Sequence, residues 1–253
     1  MASSGIVKWI SLVVAAAVLG ACSAPGPREG FAETDALEPM SRVFLNGNRR
    51  LDFYVLKPAA EGYDLVTPSL FQHMIGNGLS HLELPADFAN YLLQGDFDAS
   101  LNTFARFAIN TVVGAGGLLD PAGEAGIPRE GTDFGITLGT YGVGEGTYLV
   151  LPLIGPTTAR DVTGFVVDRA FSPTFYIGQF TSLDAVGPGI TGLGFVDTRN
   201  RNGDLIDSVL YEAEDSYVTL RAAYLQRRRA LVAGDDAADN LPDIFDDEGA
   251  PSQ

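Results

Sequence analysis

The stretch Leu101–Val112, which reads L-N-T-F-A-R-F-A-I-N-T-V, decides the fold class of this chain. Its apolar residues recur at the three- and four-residue spacing of an α-helix, and two further residues widen the apolar face. The stripe consists of Leu101, Phe104, Ala105, Ala108 and Val112, and the widening residues are Phe107 and Ile109. Because most of its circumference is apolar, we expect this helix to be buried either in protein or in lipid.

Helices are also predicted on the N-terminal side of this stretch, and the residues that begin and end them can be identified. Pro85 is suited to the first turn of a helix that Gly95 would end. Asp96 or Asp98 can then cap the helix that contains Leu101–Val112. The glycines of Gly114–Gly117 predict where that helix ends.

The C-terminal half predicts two more helical regions. Thr158 and Asp161 have the spacing of a capping box, and the helix that follows should end near Ser172. We expect its apolar residues to face inward, namely Val162, Phe165, Val166 and Ala170. Gly187–Gly194 is interpreted as a glycine-rich linker. The last region includes Ser216–Val232, whose cluster of arginines near its C-terminus suits the helix dipole.

Tyr148–Ile154 is the one apolar run that could be a strand, and Pro152 argues against a central strand there. We expect a short embedded turn or helix instead. No pair of alternating strands flanks an Asn-Gly or Asp-Gly turn, so the sequence carries no hairpin signature. The prediction is therefore an all-α fold interrupted by glycine-rich loops.

The N-terminus has the pattern of a bacterial lipoprotein signal. Lys8 precedes an apolar stretch that is too short for a permanent membrane span and ends in L-G-A-C at Cys22. Cys22 is the only cysteine, so it has no disulfide partner within the chain. We expect residues 1–21 to be removed and Cys22 to carry diacylglyceryl and N-acyl groups. An ordinary signal peptide with an incidental cysteine is the alternative.

Composition divides the mature chain into three parts: a tether over residues 22–34, a body over residues 35–234, and an acidic tail over residues 235–253 that is expected to be disordered. The net charge of −16 makes nucleic acid a poor partner, because phosphate binding needs a basic surface. Yet 46% of the residues are hydrophobic, which favours a body in contact with lipid.

No catalytic or metal-binding pattern is evident. His73 and His81, without a spare cysteine, make a zinc site improbable and are interpreted as surface or loop histidines. Asp133, Asp161 and Asp168 could form a carboxylate cluster, although helix capping is the favoured interpretation. The sequence therefore does not require an enzyme, a metal or a cofactor other than the lipid on Cys22.

Several blocks in order give the chain a specific resemblance to a known family. The longest, D-F-G-I-T-L-G-T-Y-G-V-G-E-G-T-Y-L-V-L-P-L-I-G-P-T-T-A-R-D, spans Asp133–Asp161. The others include L-E-P-M-S-R (Leu37–Arg42), L-D-F-Y-V-L-K-P (Leu51–Pro58), N-Y-L-L-Q-G-D-F (Asn90–Phe97), R-F-A-I-N-T (Arg106–Thr111), G-G-L-L-D-P-A (Gly116–Ala122) and D-S-Y-V-T-L-R-A-A-Y-L-Q-R-R (Asp215–Arg228). With these blocks the chain resembles the MlaA/VacJ family of phospholipid-binding outer-membrane lipoproteins.

The resemblance implies a ring-like helical body with a central amphipathic channel, embedded mainly in the inner leaflet of the outer membrane on its periplasmic side. It also implies removal of misplaced phospholipid from the outer leaflet. The expected partners are phospholipid, a trimeric outer-membrane porin and a periplasmic lipid carrier of the Mla pathway. A porin-associated structural lipoprotein without transport activity is the alternative.

The glycine-rich segment within the longest block is the predicted moving part. We expect Tyr141–Tyr148 to form a mobile lip of the lipid channel, since Gly142, Gly144 and Gly146 permit backbone conformations that other residues resist. The competing interpretation is a loop that only connects two elements.

Overall fold

The computed structural model describes residues 37–173 and 186–234, and this part of the chain is mostly helical. The predicted signal peptide, tether and acidic tail lie outside the described residues. In chain order the elements are α1 (Glu38–Leu51), π1 (Asp52–Leu56), α2 (Lys57–Val66), α3 (Ser69–His81), α4 (Leu84–Gln94), α5 (Phe97–Val112), α6 (Pro121–Glu124), α7 (Phe134–Thr140), β1 (Tyr148–Leu151), β2 (Gly155–Thr158), α8 (Ala159–Phe171), α9 (Val186–Arg201), α10 (Gly203–Asp207), π2 (Ser208–Glu212) and α11 (Ser216–Ala233).

The junction between α4 and α5 confirms the predicted helix end and the predicted helix cap. Gly95 ends α4 in the left-handed conformation, with φ of 78°, which glycine adopts without strain. The side chain of Asp96 then caps α5 by accepting from the backbone N–H of Ala99 at 2.9 Å. The two helices pack against each other, and the rings of Phe88 and Phe104 lie 5.8 Å apart.

The prediction of a turn or helix at Tyr148–Ile154 is wrong, because β1 and β2 form an antiparallel hairpin in which Tyr148 pairs with Thr158. Pro152 lies in the connection between the strands, where it removes no ladder hydrogen bond. A distant residue holds that connection: Asn48 donates to the carbonyl of Leu151 at 2.8 Å and accepts from the N–H of Leu153 at 2.9 Å. The fold is thus helical with one hairpin rather than all-α.

The hairpin packs against both ends of the chain. Val150 and Tyr148 are buried with Leu45 of α1 and with Tyr217 and Leu225 of α11. The rings of Tyr148 and Tyr217 meet edge to face at 5.7 Å. This small apolar core therefore joins elements more than 100 residues apart in the chain.

The interpretation of Gly187–Gly194 as a linker is also wrong, since these residues begin helix α9. Glycine weakens a helix by about 1 kcal/mol relative to alanine, so tertiary contacts must stabilise this one. α9 packs along α2 and α3, and its C-terminal half is fixed by ion pairs. Arg199 pairs with Asp52 at 2.8 Å, and Arg201 pairs with Asp197 at 2.7 Å.

Helix α8 confirms the predicted cap but not the predicted inward face. Thr158 accepts from the backbone N–H of Asp161 at 3.3 Å, as a cap should. Phe165 and Val166, however, are about half exposed, and the buried residues are Arg160, Asp161 and Gly164. At Gly164 the backbones approach closely, because a Cβ there would lie 2.3 Å from the nitrogen of Gly135.

Candidate functional site

Helix α5 is inverted with respect to a helix of an ordinary globular protein. Its apolar stripe points outward: Leu101 is 65% exposed, Phe104 53% and Val112 82%. The buried side of the helix is polar and consists of Ser100, Thr103, Arg106 and Asn110 together with Ala99. The apolar stripe is therefore not buried within the described part of the protein.

Large apolar side chains are exposed on several other helices as well. Examples are Phe53, Tyr54, Leu65, Val66, Leu70, Phe71, Phe165, Val166, Leu205 and Val218. Scattered exposed apolar residues are normal, but this many large ones around a small body indicate contact with an apolar partner. None of the helices within residues 37–173 and 186–234 is both long and apolar enough to cross a membrane.

The polar side of α5 is held by one aspartate. Nη2 of Arg106 donates to both carboxylate oxygens of Asp120, at 2.8 and 2.7 Å, and Nδ2 of Asn110 donates to Oδ1 at 2.8 Å. Asp120 also caps α6 by accepting from the N–H of Gly123 at 3.0 Å. Burial alone would raise the pKa of Asp120, but the hydrogen bonds from Asn110 and Arg106 outweigh it and lower that pKa.

A cavity of about 90 Å³ lies beside this cluster. Helix α3 contributes Asn77, Ser80 and His81 to its wall, while α5 contributes Arg106 and Asn110. Leu84, Asp120 and Arg129 complete the lining. The volume accommodates a few water molecules or one small polar group.

Arg129 forms the outer part of the wall and is partly exposed. Its Nη1 donates to the hydroxyl oxygen of Ser80 at 2.8 Å, and its Nη2 to Oε2 of Glu83 at 2.8 Å. Because Glu83 is largely exposed, this ion pair is of the weak surface kind.

Two polar atoms of the lining are buried without a hydrogen-bond partner among the described residues: Nε of Arg106 and Nδ1 of His81. The two residues are only 5% and 8% exposed, so water does not readily reach these atoms. Buried polar atoms are normally paired, because an unpaired one costs about 1–3 kcal/mol. Both atoms belong to residues that line the cavity.

The interpretation of both histidines as surface or loop residues is wrong for His81. It lies in α3, and its ring is buried and stacked on the ring of Phe107 at 4.9 Å. Burial lowers its pKa. His73 is exposed, and no group of three potential metal ligands occurs in the part of the chain that the structure describes.

The predicted lip follows α7 as a loop with several attachments. Gly142 and Gly146 have positive φ values of 83° and 68°, and a Cβ at Gly144 would meet open space. The exposed Tyr141 donates from its hydroxyl to the carbonyl of Leu93 at 2.6 Å. Tyr148, by contrast, is buried at the start of β1, so it anchors the loop rather than lying on it.

The loop is attached to the body by arginines. Arg229 pairs with Glu145 at 2.5 Å, and Nη1 of Arg160 donates to the carbonyl of Val143 at 3.2 Å. Two backbone hydrogen bonds add to these, from the N–H of Arg160 to the carbonyl of Glu145 at 3.3 Å and from the N–H of Ala159 to the carbonyl of Thr147 at 3.1 Å. The role of the loop as a lip stays a prediction.

The three aspartates singled out in the sequence, Asp133, Asp161 and Asp168, lie around one ionic cluster. Arg228 bridges Asp133 and Asp161, at 2.5 and 2.7 Å, and Tyr224 donates to Asp161 at 2.7 Å. Asp133 also caps α7 at the N–H of Ile136, which confirms the favoured capping interpretation for this residue. Burial would raise the pKa of Asp133, but hydrogen bonds and the charge of Arg228 lower it.

Asp168 completes the cluster without an arginine of its own. It accepts from the N–H of Phe134 at 3.0 Å and from Nδ2 of Asn90 at 2.7 Å, and burial raises its pKa. The aspartates thus tie α7 to α8 and α11. Arg228 belongs to this cluster, so its place near the C-terminus of a helix is only part of its role.

Sequence reasoning missed the cavity. The available signal was the pair Arg106 and Asn110, which stand four residues apart in an otherwise apolar helix and so share one face. A polar pair of this kind indicates which side of α5 faces the protein. The partner Asp120 lies in the adjoining G-G-L-L-D-P-A block, but spacing alone does not bring it to that face.

Comparison with known proteins gives consistent matches over most of the chain. The model of a family described as MlaA lipoprotein matches residues 33–231. A relative from Haemophilus influenzae, named "Intermembrane phospholipid transport system lipoprotein MlaA", is 34% identical over 239 residues, which cover 92% of this chain and 94% of the relative.

Two further matches agree with these. A relative of the same name from Escherichia coli K12 is 34% identical, with 88% of each chain covered. A solved structure described as "Structural basis for maintenance of bacterial outer membrane lipid asymmetry" has a TM-score of 0.69 and 34% sequence identity. The match covers 79% of this chain and all of that one.

Proposed function

The chain belongs to the MlaA lipoprotein family, and from this premise we propose that it takes part in intermembrane phospholipid transport. In this proposal it removes phospholipid molecules that have strayed into the outer leaflet of the outer membrane. It then passes them to a periplasmic carrier protein. The observation that carries the proposal is the inverted helix α5, with apolar residues outward and Arg106 and Asn110 inward.

An inverted helix is what lipid transport requires of a body embedded in one leaflet. Outward apolar residues are stable only against acyl chains or an apolar partner. An inward polar wall offers hydrogen bonds to a headgroup that would otherwise have to lose its water. α5 supplies both surfaces within sixteen residues, with Phe104 on one side and Arg106 on the other.

The remaining features follow from the same proposal. Cys22 would carry the lipid anchor that holds the chain at the outer membrane, with the body mainly in the inner leaflet, next to a trimeric porin. The helices would form a ring around an amphipathic channel. Moving a lipid makes and breaks no bond, so the protein needs no catalytic group and no metal.

In this proposal the loop at residues 141–147 is the lip of the channel. Tyr141, Gly142, Gly144 and Gly146 lie on it, while Tyr148 fixes its end in the core. Replacing Gly144 by proline should impair lipid movement while the protein still folds, because Gly144, unlike Gly146, does not have a positive φ. Unchanged surface lipid in that variant would remove the lip from the proposal.

The decisive experiment measures outer-leaflet phospholipid in intact cells with and without the gene. Complementation should use the wild type and a Cys22→Ala form. Accumulation on deletion, reversed only by the wild type, supports removal of lipid by an anchored protein. No accumulation would instead favour a porin-associated structural lipoprotein, especially if the protein purifies with a porin but without phospholipid.

A further inference from the structure

We propose that the cavity between α3 and α5 binds the phosphate of a phospholipid headgroup, with Arg129 and Arg106 as its cations. This inference rests on the proposed function, because it names the part of the lipid that the protein recognises. It is carried by the cavity itself and by the two arginines in its lining, one buried and one accessible.

The charge of the lining favours an anion. Two arginines and one aspartate line the cavity, in a chain whose overall net charge is −16. Asp120 is paired with Arg106, so these two charges largely neutralise each other. Arg129 therefore leaves the lining with a net positive charge.

Each arginine contributes in a different way. Arg106 is buried and fixed by Asp120, so it contributes a positive charge to the cavity wall at a fixed position. Arg129 is partly exposed and bound to the largely exposed Glu83. A phosphate at the cavity would replace Glu83 as the acceptor, which costs little because surface ion pairs are weak.

The surroundings of the cavity fit a lipid better than a free phosphate ion. Leu118 and Leu119 precede Asp120 directly and are about half exposed. Leu118 lies against α3, since its carbonyl accepts from Nδ2 of Asn77 and its side chain is within reach of a Cβ at Gly78. Apolar side chains at the edge of a polar cavity are suited to the first carbons of acyl chains.

Arg129 and Glu83 allow a test in which replacing one should lower the affinity for lipid and replacing the other should raise it. Arg129→Gln removes the accessible cation and should weaken binding of a phosphate-bearing lipid about tenfold, the usual effect of losing one charge-assisted hydrogen bond. Glu83→Gln removes the competitor and should strengthen it, by about two- to fivefold. Arg50→Gln, at an exposed arginine of α1, is the matched control and should change nothing.

The measurement is calorimetric titration of the purified full-length lipoprotein in a sugar detergent. The probes are dihexanoylphosphatidylethanolamine, dihexanoylglycerol, which lacks the phosphate, and inorganic phosphate. The proposal expects the first to bind and the second not to bind. Thermal unfolding of each variant should show that the fold is retained.

Each other outcome overturns a different statement. If the wild type binds the phospholipid but all three variants bind it equally, the headgroup is recognised elsewhere and only the cavity site is wrong. If inorganic phosphate binds as tightly as the phospholipid, the cavity is a site for the free ion. If the wild type binds no phospholipid and deletion of the gene causes no lipid accumulation, the proposed function itself is wrong.

Discussion

Two of the regions that bury an arginine use it differently. Arg228 lies between two carboxylates, those of Asp133 and Asp161, which join α7, α8 and α11. Arg106 has one carboxylate partner, Asp120, and the two residues line a cavity. The first arrangement places two carboxylates around one cation and holds elements together. The second borders a cavity, and so has the character of a site.

The largest expected effect concerns the arginine that holds elements together. Arg228→Met removes the cation between the partly exposed Asp133 and the buried Asp161, which keeps only a longer contact of 3.4 Å to Arg160. Breaking a buried pair costs up to about 3–5 kcal/mol. Denaturant unfolding should show this loss. Arg227→Met, at the exposed neighbour in the same helix, should stay within about 0.5 kcal/mol of the wild type. A loss below about 1 kcal/mol at Arg228 would mean that the cluster is not what joins these helices.

Another buried acid, Asp87, sharpens the comparison because no ion pair to it is found among the described residues. Burial raises its pKa to about 7; the charge of Glu83 also raises this pKa, and the charge of Arg129 lowers it. The folded state therefore holds this proton more tightly than the unfolded state, whose pKa is about 4. The contribution of Asp87 to the free energy of unfolding is therefore greatest below pH 4. It decreases as the pH rises from 4 to 7.

Asp87→Asn should remove that loss. At pH 8 the variant should be more stable than the wild type by about 1–3 kcal/mol, whereas at pH 4 the two should be nearly equal. Unfolding curves at both pH values check this, with Asp98→Asn at an exposed position of α5 as the control. A difference of equal size at both pH values would assign the effect to packing and not to the charge.

The hairpin depends on a contact from outside its own sequence. Asn48→Ala removes both side-chain hydrogen bonds to the turn between β1 and β2 and should cost about 1–2 kcal/mol. Hydrogen exchange should increase at Val150 and its neighbours more than in α4. Asn46→Ala, at an exposed position of the same helix, should leave both quantities unchanged.

This dependence also explains which parts of the fold could be predicted. The boundaries at Gly95 and Asp96 were predictable because caps are local: a glycine or an aspartate acts on backbone groups within three residues. The hairpin was missed because Asn48, about 100 residues before the turn, provides what a local turn signal would have provided. Helix α9 was missed because its ion pairs to Asp52 and Asp207 outweigh its glycines.

The candidate site was harder to predict than the fold, for a physical reason. Periodicity finds the apolar side of a helix but does not say whether that side faces protein or lipid. On α5 and α8 the usual assumption of an inward apolar face fails, as Phe165 and Arg160 show. Only the partners of the polar residues, such as Asp120 for Arg106, decide the orientation, and these come from other parts of the chain.

The smallest expected effect on stability tests that orientation directly. Leu101→Gln, on the outward side of α5, removes no contact with the protein interior, so unfolding in detergent should shift by no more than about 0.5 kcal/mol. Thr103→Leu, on the inward side two residues away, adds bulk at a buried position and breaks its hydrogen bond to the carbonyl of Ala99. It should cost about 1–3 kcal/mol. In a soluble helix the order of these two effects would be reversed, because the leucine would be in the core. A larger loss at Leu101 than at Thr103 would therefore contradict both the inverted helix and the proposal of lipid contact that is built on it.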